Sequence, residues 1–233
     1  MLHVMKPGSH AAAEKIPSTV VLLIRHGQTP TTGQVLPGQA PSLHLSDKGE
    51  EQAREVAQRL AEVPISAIYS SPMERAQETA APTVSVHGLE LKVEPGLIEC
   101  DFGEWTGRKL SELNTLEEWK AVQKTPSTFR FPGGESFVEM QDRMVAAISK
   151  IAQQHPGEII AAFSHADTIK AAVAHFVGTP LDSFQRIFID TASISAVEFT
   201  GKSSGVSSHM LLTNSRTGSL GYLRDKLPKA PQP

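Results

Sequence analysis

Cysteine is almost absent from this chain of 233 residues, with Cys100 standing alone, so no disulfide can form within it. A chain this long is instead expected to be held by a sizeable buried core. Positive charge is scarce as well. The 22 Lys and Arg face 25 Asp and Glu, for a net charge of -3, which excludes the basic footprint that grips nucleic-acid phosphates. No apolar run approaches the ~20 residues of a membrane span, and the first thirty residues lack the apolar heart of a signal peptide. These absences give the expectation of a cytoplasmic protein with neither nucleic acid nor membrane as partner. There is no internal repeat, and no central stretch rich in Pro, Gly and Ser separates two cores. A single domain over 19–215 is expected, with flexible segments at 1–18 and 216–233.

What the chain does have is a series of apolar runs that stop at reactive side chains. Val20 to Ile24 ends at Arg25-His26-Gly27, and Ile159 to Phe163 ends at Ser164-His165-Ala166. This is how an α/β sheet presents chemistry at the carboxyl ends of its strands. Strands are predicted near Val20–Arg25, Ala67–Ser70, Leu91–Val93, Glu158–Phe163, Arg186–Asp190, Ser193–Phe199 and Ser207–Leu212. Ala53, Val56, Ala57 and Leu60 have helical spacing behind Ser46 as cap. A second helix is predicted to open on a capping box at Ser71-Pro72-Met73-Glu74 and to end or kink at Pro82. A third starts at Ser136 and stops at His155-Pro156-Gly157, and a fourth runs from Ala166 to a C-cap at Gly178. Alternating strands and helices imply a mainly parallel sheet covered on both faces, while the closely spaced last strands add a hairpin or meander.

Moving a phosphoryl group requires positive charge around its oxygens and a nucleophile in line with the leaving oxygen. Arg25, Arg75 and His165 can supply the charge, the arginines as bidentate forks that keep their protons. Backbone amides from Ala166 onward add a helix N-terminus. A neutral His26 can attack phosphorus and form a phosphohistidine, a route that calls for no metal or cofactor. Gly27 is expected to clear space beside the attacking ring, and Ser71 to hydrogen-bond that ring. Glu99 is the expected proton donor. Burial beside Phe102 and Trp105 would raise its pKa and neighbouring arginines would lower it, a balance the sequence leaves open.

Arg25-His26-Gly27-Gln28-Thr29, Arg75-Ala76 with Thr79-Ala80, Leu97-Ile98-Glu99 with Phe102-Gly103 and Trp105-Thr106-Gly107, Phe131-Pro132-Gly133-Gly134-Glu135-Ser136, and Ser164-His165-Ala166 follow one another in order. Together they resemble the histidine phosphatase superfamily, in its phosphoglycerate-mutase-like branch, from about Val20 to Phe199. The resemblance implies a three-layer α/β/α sandwich around a mostly parallel, mixed six-stranded sheet. It implies His26 as the phosphorylated nucleophile, Glu99 as proton donor, and Arg25, Arg75 and His165 as the phosphate clamp. Where many members carry asparagine six residues after the nucleophile, this chain has Thr32, whose hydroxyl is expected as a phosphate contact. The family's cofactor-dependent mutases carry a long, arginine-bearing insertion; here the stretch from Gly107 to Phe131 is short and has only Arg108 and Arg130 as arginines, which favours hydrolysis of a small phosphomonoester over a mutase reaction. A mutase is the first alternative and a non-catalytic phospho-ligand module the second.

The remaining candidates read as structural. His44, His87, His155, His175 and His209 have no partner at ligand spacing. Cys100 has no activating base, and Gly201-Lys202-Ser203 lacks the upstream glycine of a nucleotide-binding loop.

Overall fold

The computed structural model describes residues 16–202 and 205–226. Six strands form one sheet: β1 Ile16–Arg25, β2 Ile65–Ser70, β3 Leu91–Val93, β4 Ile159–Ser164, β5 Ile194–Lys202 and β6 Gly205–Ser215, in the order β3-β2-β4-β1-β5-β6. The four on the β3 side are parallel, whereas β5 runs antiparallel to β1 and forms a hairpin with β6. The sheet is therefore mixed and mostly parallel, as the spacing implied.

Why β1 lies in the middle follows from its composition. Val20 to Ile24 are wholly buried, and successive side chains of a strand face opposite ways, so both faces need cover. Val21 and Leu23 pack with Met144, Ile148 and Ile151 of α5 (Phe137–Gln154) and with Ile169 and Val173 of α6 (Ala166–Phe176). Val20, Leu22 and Ile24 pack with Val56 and Leu60 of α1 (Asp47–Leu60) and Ala80 of α2 (Glu74–His87). Three layers result. A third cluster, built on Phe102, Trp105, Phe131, Phe137 and Phe184, lies under the 100–137 stretch. Its Trp105 and Trp119 rings pack 6.0 Å apart. No helix among the described residues is long and apolar enough to cross a membrane.

Several expectations are corrected. Arg186–Asp190 is no strand: a 3-10 turn spans Leu181–Arg186. The backbone beyond it bonds to side chains, Ile189 O accepting from Arg25 Nη1 at 2.7 Å and Asp190 N donating to Asn214 Oδ1 at 2.7 Å. α2 runs on through Pro82, which lies on a half-buried flank where the helix loses one hydrogen bond without breaking. Its cap is Met73 rather than Ser71. The strand at the amino end starts at Ile16, inside the segment expected to be flexible, while 1–15 lie outside the described residues. At the other end, Leu220 and Leu223 around the 3-10 turn Gly221–Lys226 are buried against the α1 face. Two leucines three residues apart give that turn, inside the segment expected to be flexible, an apolar side. Residues 227–233 lie outside the described residues.

Candidate active site

Three parallel strands end side by side, and their register decides which residues meet. Arg25 pairs with Ser164, and Ser70 with Phe163. The ladder continues one residue further, His26 N donating to Ser164 O at 3.0 Å and Ser71 N to Phe163 O at 2.9 Å. Ser71, His165 and His26 thus leave the sheet at one level. The two imidazoles lie 5.2 Å apart between ring centroids, tilted by 60°, and both are buried.

Hydrogen bonds give these rings different tautomers. His26 Nδ1 lies 2.7 Å from Gly27 O; a carbonyl only accepts, so Nδ1 holds the proton and Nε2 carries the lone pair. His165 has the opposite arrangement. Its Nε2 meets Ser71 Oγ at 2.7 Å, while Ser71 Oγ accepts from Met73 N at 3.3 Å. The serine proton has no other acceptor within reach, so Ser71 donates to Nε2, which leaves His165 Nδ1 as an N–H donor. The expected bond from Ser71 to the His26 ring is replaced by this one, because strand register puts β2 beside β4 and not beside β1. Burial first, and then the positive charge of Arg75, hold both histidine pKa values well below the usual range. Both rings are neutral at pH 7.

Arg75 is completely buried, with Nη2 donating to Gly38 O at 2.8 Å. Its Nε and Nη1, Arg25 Nε and His165 Nδ1 are buried polar atoms without a protein partner. Donors left unpaired in low dielectric are costly, and four of them around a neutral histidine describe an anion receptor. Burial lowers the pKa of both arginines while Glu99 opposes it, and guanidinium groups stay charged throughout.

Glu99 is buried, and its pKa is pushed up to about 7, by desolvation first and then by Asp167, against the pull of Arg75 and Arg25. The balance the sequence leaves open thus falls on the side of burial, giving a carboxyl that is half protonated near neutrality. Its Oε1 accepts from Cys100 N at 2.9 Å, and Gln39 Nε2 donates to its backbone O at 2.8 Å.

Ala166 opens α6 directly after His165, so its amide belongs to the helix turn that lacks internal acceptors. Thr32 is engaged elsewhere: its Oγ1 accepts from Thr29 N at 2.9 Å and pairs with Thr29 Oγ1 at 3.0 Å. A Cβ on Gly27 would lie 2.6 Å from Gly49 O, so the glycine is what lets α1 approach the turn after His26.

Some participants escape sequence reasoning. Thr79 Oγ1 accepts from Gly27 N at 2.9 Å and donates to Arg75 O at 2.6 Å, tying the turn after His26 to the helix that carries Arg75. Asp167 acts electrostatically on both Glu99 and Arg25, and its place two residues after His165 was the available signal. The carbonyls of Gly38 and Ile189 leave no trace in side-chain pattern.

Comparison with known proteins agrees with this geometry. The chain is 34% identical over 183 residues to a probable phosphoglycerate mutase, GpmB, of Cronobacter sakazakii, covering 77% of this chain and 84% of that one. It is 29% identical over 155 residues to phosphoserine phosphatase 1 of Hydrogenobacter thermophilus, covering 66% and 74%. The alpha-ribazole phosphatase structure from Shigella flexneri superposes with a TM-score of 0.74 at 27% identity, covering 86% of this chain and 98% of that one. The family model described as histidine phosphatase superfamily (branch 1) matches residues 21–210. Sequence, fold and the two buried histidines at adjacent strand ends converge on one conclusion: this chain belongs to the histidine phosphatase superfamily, branch 1.

Proposed function

We propose that the chain is a phosphomonoesterase acting on small phosphorylated metabolites through a phosphohistidine at His26. The carrying observation is the neutral Nε2 of His26 beside four unpaired buried donors on Arg25, Arg75 and His165. Nε2 attacks phosphorus as the bond to the leaving oxygen breaks, and the protonated Glu99 carboxyl gives that oxygen its proton. The arginines, His165 Nδ1–H and the Ala166 amide hold the phosphoryl oxygens. Glu99, now a carboxylate, takes a proton from water, whose oxygen attacks the phosphohistidine and releases phosphate. Thr32 is left to shape the turn behind the nucleophile. A cytoplasmic setting is supported by the lone cysteine, whose buried thiol has no disulfide partner within the chain.

The mutase reading draws on the likeness to GpmB. Hydrolysis is favoured by the 107–131 segment, where Arg130 is occupied by Gly134 O and the Glu139 carboxylate, leaving Arg108 as the one arginine there able to fork onto a substrate carboxylate. Incubation with 3-phosphoglycerate and p-nitrophenyl phosphate is expected to yield free phosphate without isomer. Isomer without phosphate release would establish the mutase, and binding without turnover the non-catalytic module.

Glu99 also sets a pH signature. The donor must be protonated, so kcat/KM for an alkyl phosphate should fall about tenfold per pH unit once pH rises past its pKa near 7. p-Nitrophenyl phosphate, whose leaving oxygen needs no proton, should show no such limb. Glu99→Gln should abolish the limb and lower kcat/KM by about 10²–10³-fold for the alkyl substrate, with little effect on kcat/KM for the aryl one, because that quantity ends before the water step in which Glu99 serves both. Equal losses on both substrates would move the acid role elsewhere.

A further inference from the structure

The turn Phe131-Pro132-Gly133-Gly134-Glu135-Ser136 puts no group among the unpaired donors, yet it is packed backbone to backbone on the segment that carries Glu99. Glu104 N donates to Pro132 O at 2.9 Å and Glu135 N to Asp101 O at 3.0 Å. A Cβ on Gly134 would sit 2.3 Å from Asp101 O, so only glycine permits this approach. Glu135 Oε1 accepts from Asp101 N at 2.9 Å and from Arg143 Nη2 at 2.7 Å. Arg143 reaches into the same segment from the 18-residue helix α5. Its Nη1 donates to Gly96 O and Ile98 O, both at 2.9 Å, and its Nη2 lies 3.4 Å from Glu99 O.

The segment needs such support. β3 ends at Val93, and between there and Asp101 the only regular structure is the 3-10 turn Pro95–Leu97. No sheet ladder holds the backbone of Glu99. Gln39 bonds the Glu99 carbonyl from one direction, Ser164 Oγ bonds Leu97 O at 2.7 Å from beside His165, and Arg143 gathers the carbonyls of 96, 98 and 99 around one guanidinium. The Arg143–Glu135 pair is mostly buried, at 25% and 17% side-chain exposure, so its geometry is retained better than that of a surface ion pair.

We propose that Arg143, braced by Glu135, is a positioning residue for the proton donor: it touches no substrate and fixes the Glu99 backbone so that the carboxyl stands at the leaving oxygen. This rests on the reading of Glu99 as donor. A misplacement of about 1 Å at a reacting group costs on the order of 10²-fold in rate, but only for the step that uses that group.

Arg143→Met and Glu135→Gln are therefore compared with Glu99→Gln, using glycerol 2-phosphate and p-nitrophenyl phosphate. Arg143→Met should lose about 30-fold in kcat/KM, which ends at release of the leaving group, on the alkyl ester and under about threefold on the aryl ester. Glu135→Gln should show the same split at smaller size and covers the case of a poorly folded Arg143→Met. Arg143→Lys, whose single nitrogen cannot span the three carbonyls and the Glu135 carboxylate as a guanidinium does, should recover part of the loss. If Glu99→Gln shows the split while Arg143→Met and Glu135→Gln lose equally on both esters or not at all, the positioning role is overturned and the donor assignment stands. If Glu99→Gln itself shows no split, both are overturned.

Discussion

His26→Ala eliminates turnover: phosphate release is expected to fall by about 10⁵–10⁶-fold, the scale seen when a nucleophile acting as part of a unit is removed. The reason no neighbour substitutes lies in the second histidine. His165 is only 5.2 Å away by ring centroid, but its Nε2 is engaged by Ser71 and its other nitrogen carries a proton, so it offers phosphorus a donor and no lone pair. The variant keeps Arg25, Arg75 and His165, so inorganic phosphate should bind within a fewfold of the parent affinity. Steady-state phosphate release and calorimetric titration with phosphate check the two halves. Retained turnover would exclude the covalent route.

Arg75→Met should cost about 10³-fold in kcat/KM, in the range of one charged contact to a transferring phosphoryl group. The loss should appear on alkyl and aryl esters alike, because this contact serves the phosphoryl oxygens and not the leaving group. Stability should not follow activity. Arg75 is completely buried with Nε and Nη1 unpaired, and replacing such a charge by an apolar side chain of similar length removes a desolvation penalty. Thermal unfolding of the variant should occur at the parent temperature or above it. The charge also bears on both titrating partners: it lowers the pKa of His26 and that of Glu99. Its loss should therefore move the acid and the alkaline limbs of the pH profile upward. A variant that loses stability together with activity, at unchanged pH profile, would make Arg75 a structural residue.

Much of this was legible in the chain because reactive residues stand at the ends of uninterrupted apolar runs. A short, β-branched run such as Val20–Ile24 reads as a strand covered on both faces, and the residue that ends it is carried to the carboxyl end of the sheet. His26 and His165 are found that way, and motif order supplies Arg75 and Glu99. What could not be read depends on which strand lies beside which. Ser71 looks like a helix cap from its neighbours, yet the order β2-β4-β1 gives it to His165. Gly27 looks like clearance for a ring, and nothing local in the sequence shows that the backbone of Gly49 also demands it. Arg186–Asp190 alternates like a strand, with Ile187 and Ile189 inward and Phe188 71% exposed, but Ile189 O accepts from the Arg25 side chain and Asp190 N donates to that of Asn214, so no strand pairs there. The pKa of Glu99 was undecidable for a related reason: local sequence names the opposing influences, and only burial depth ranks them.

The most direct test of the account is to mix the protein with a phosphomonoester, quench in alkali within the first turnover, and locate the phosphoryl group by peptide mass mapping. Phosphohistidine survives alkali and is lost in acid. The account predicts one phosphoryl group on the peptide containing His26, absent from His26→Ala. A phosphoryl group on His165, on Ser71 or on no residue at all would contradict it.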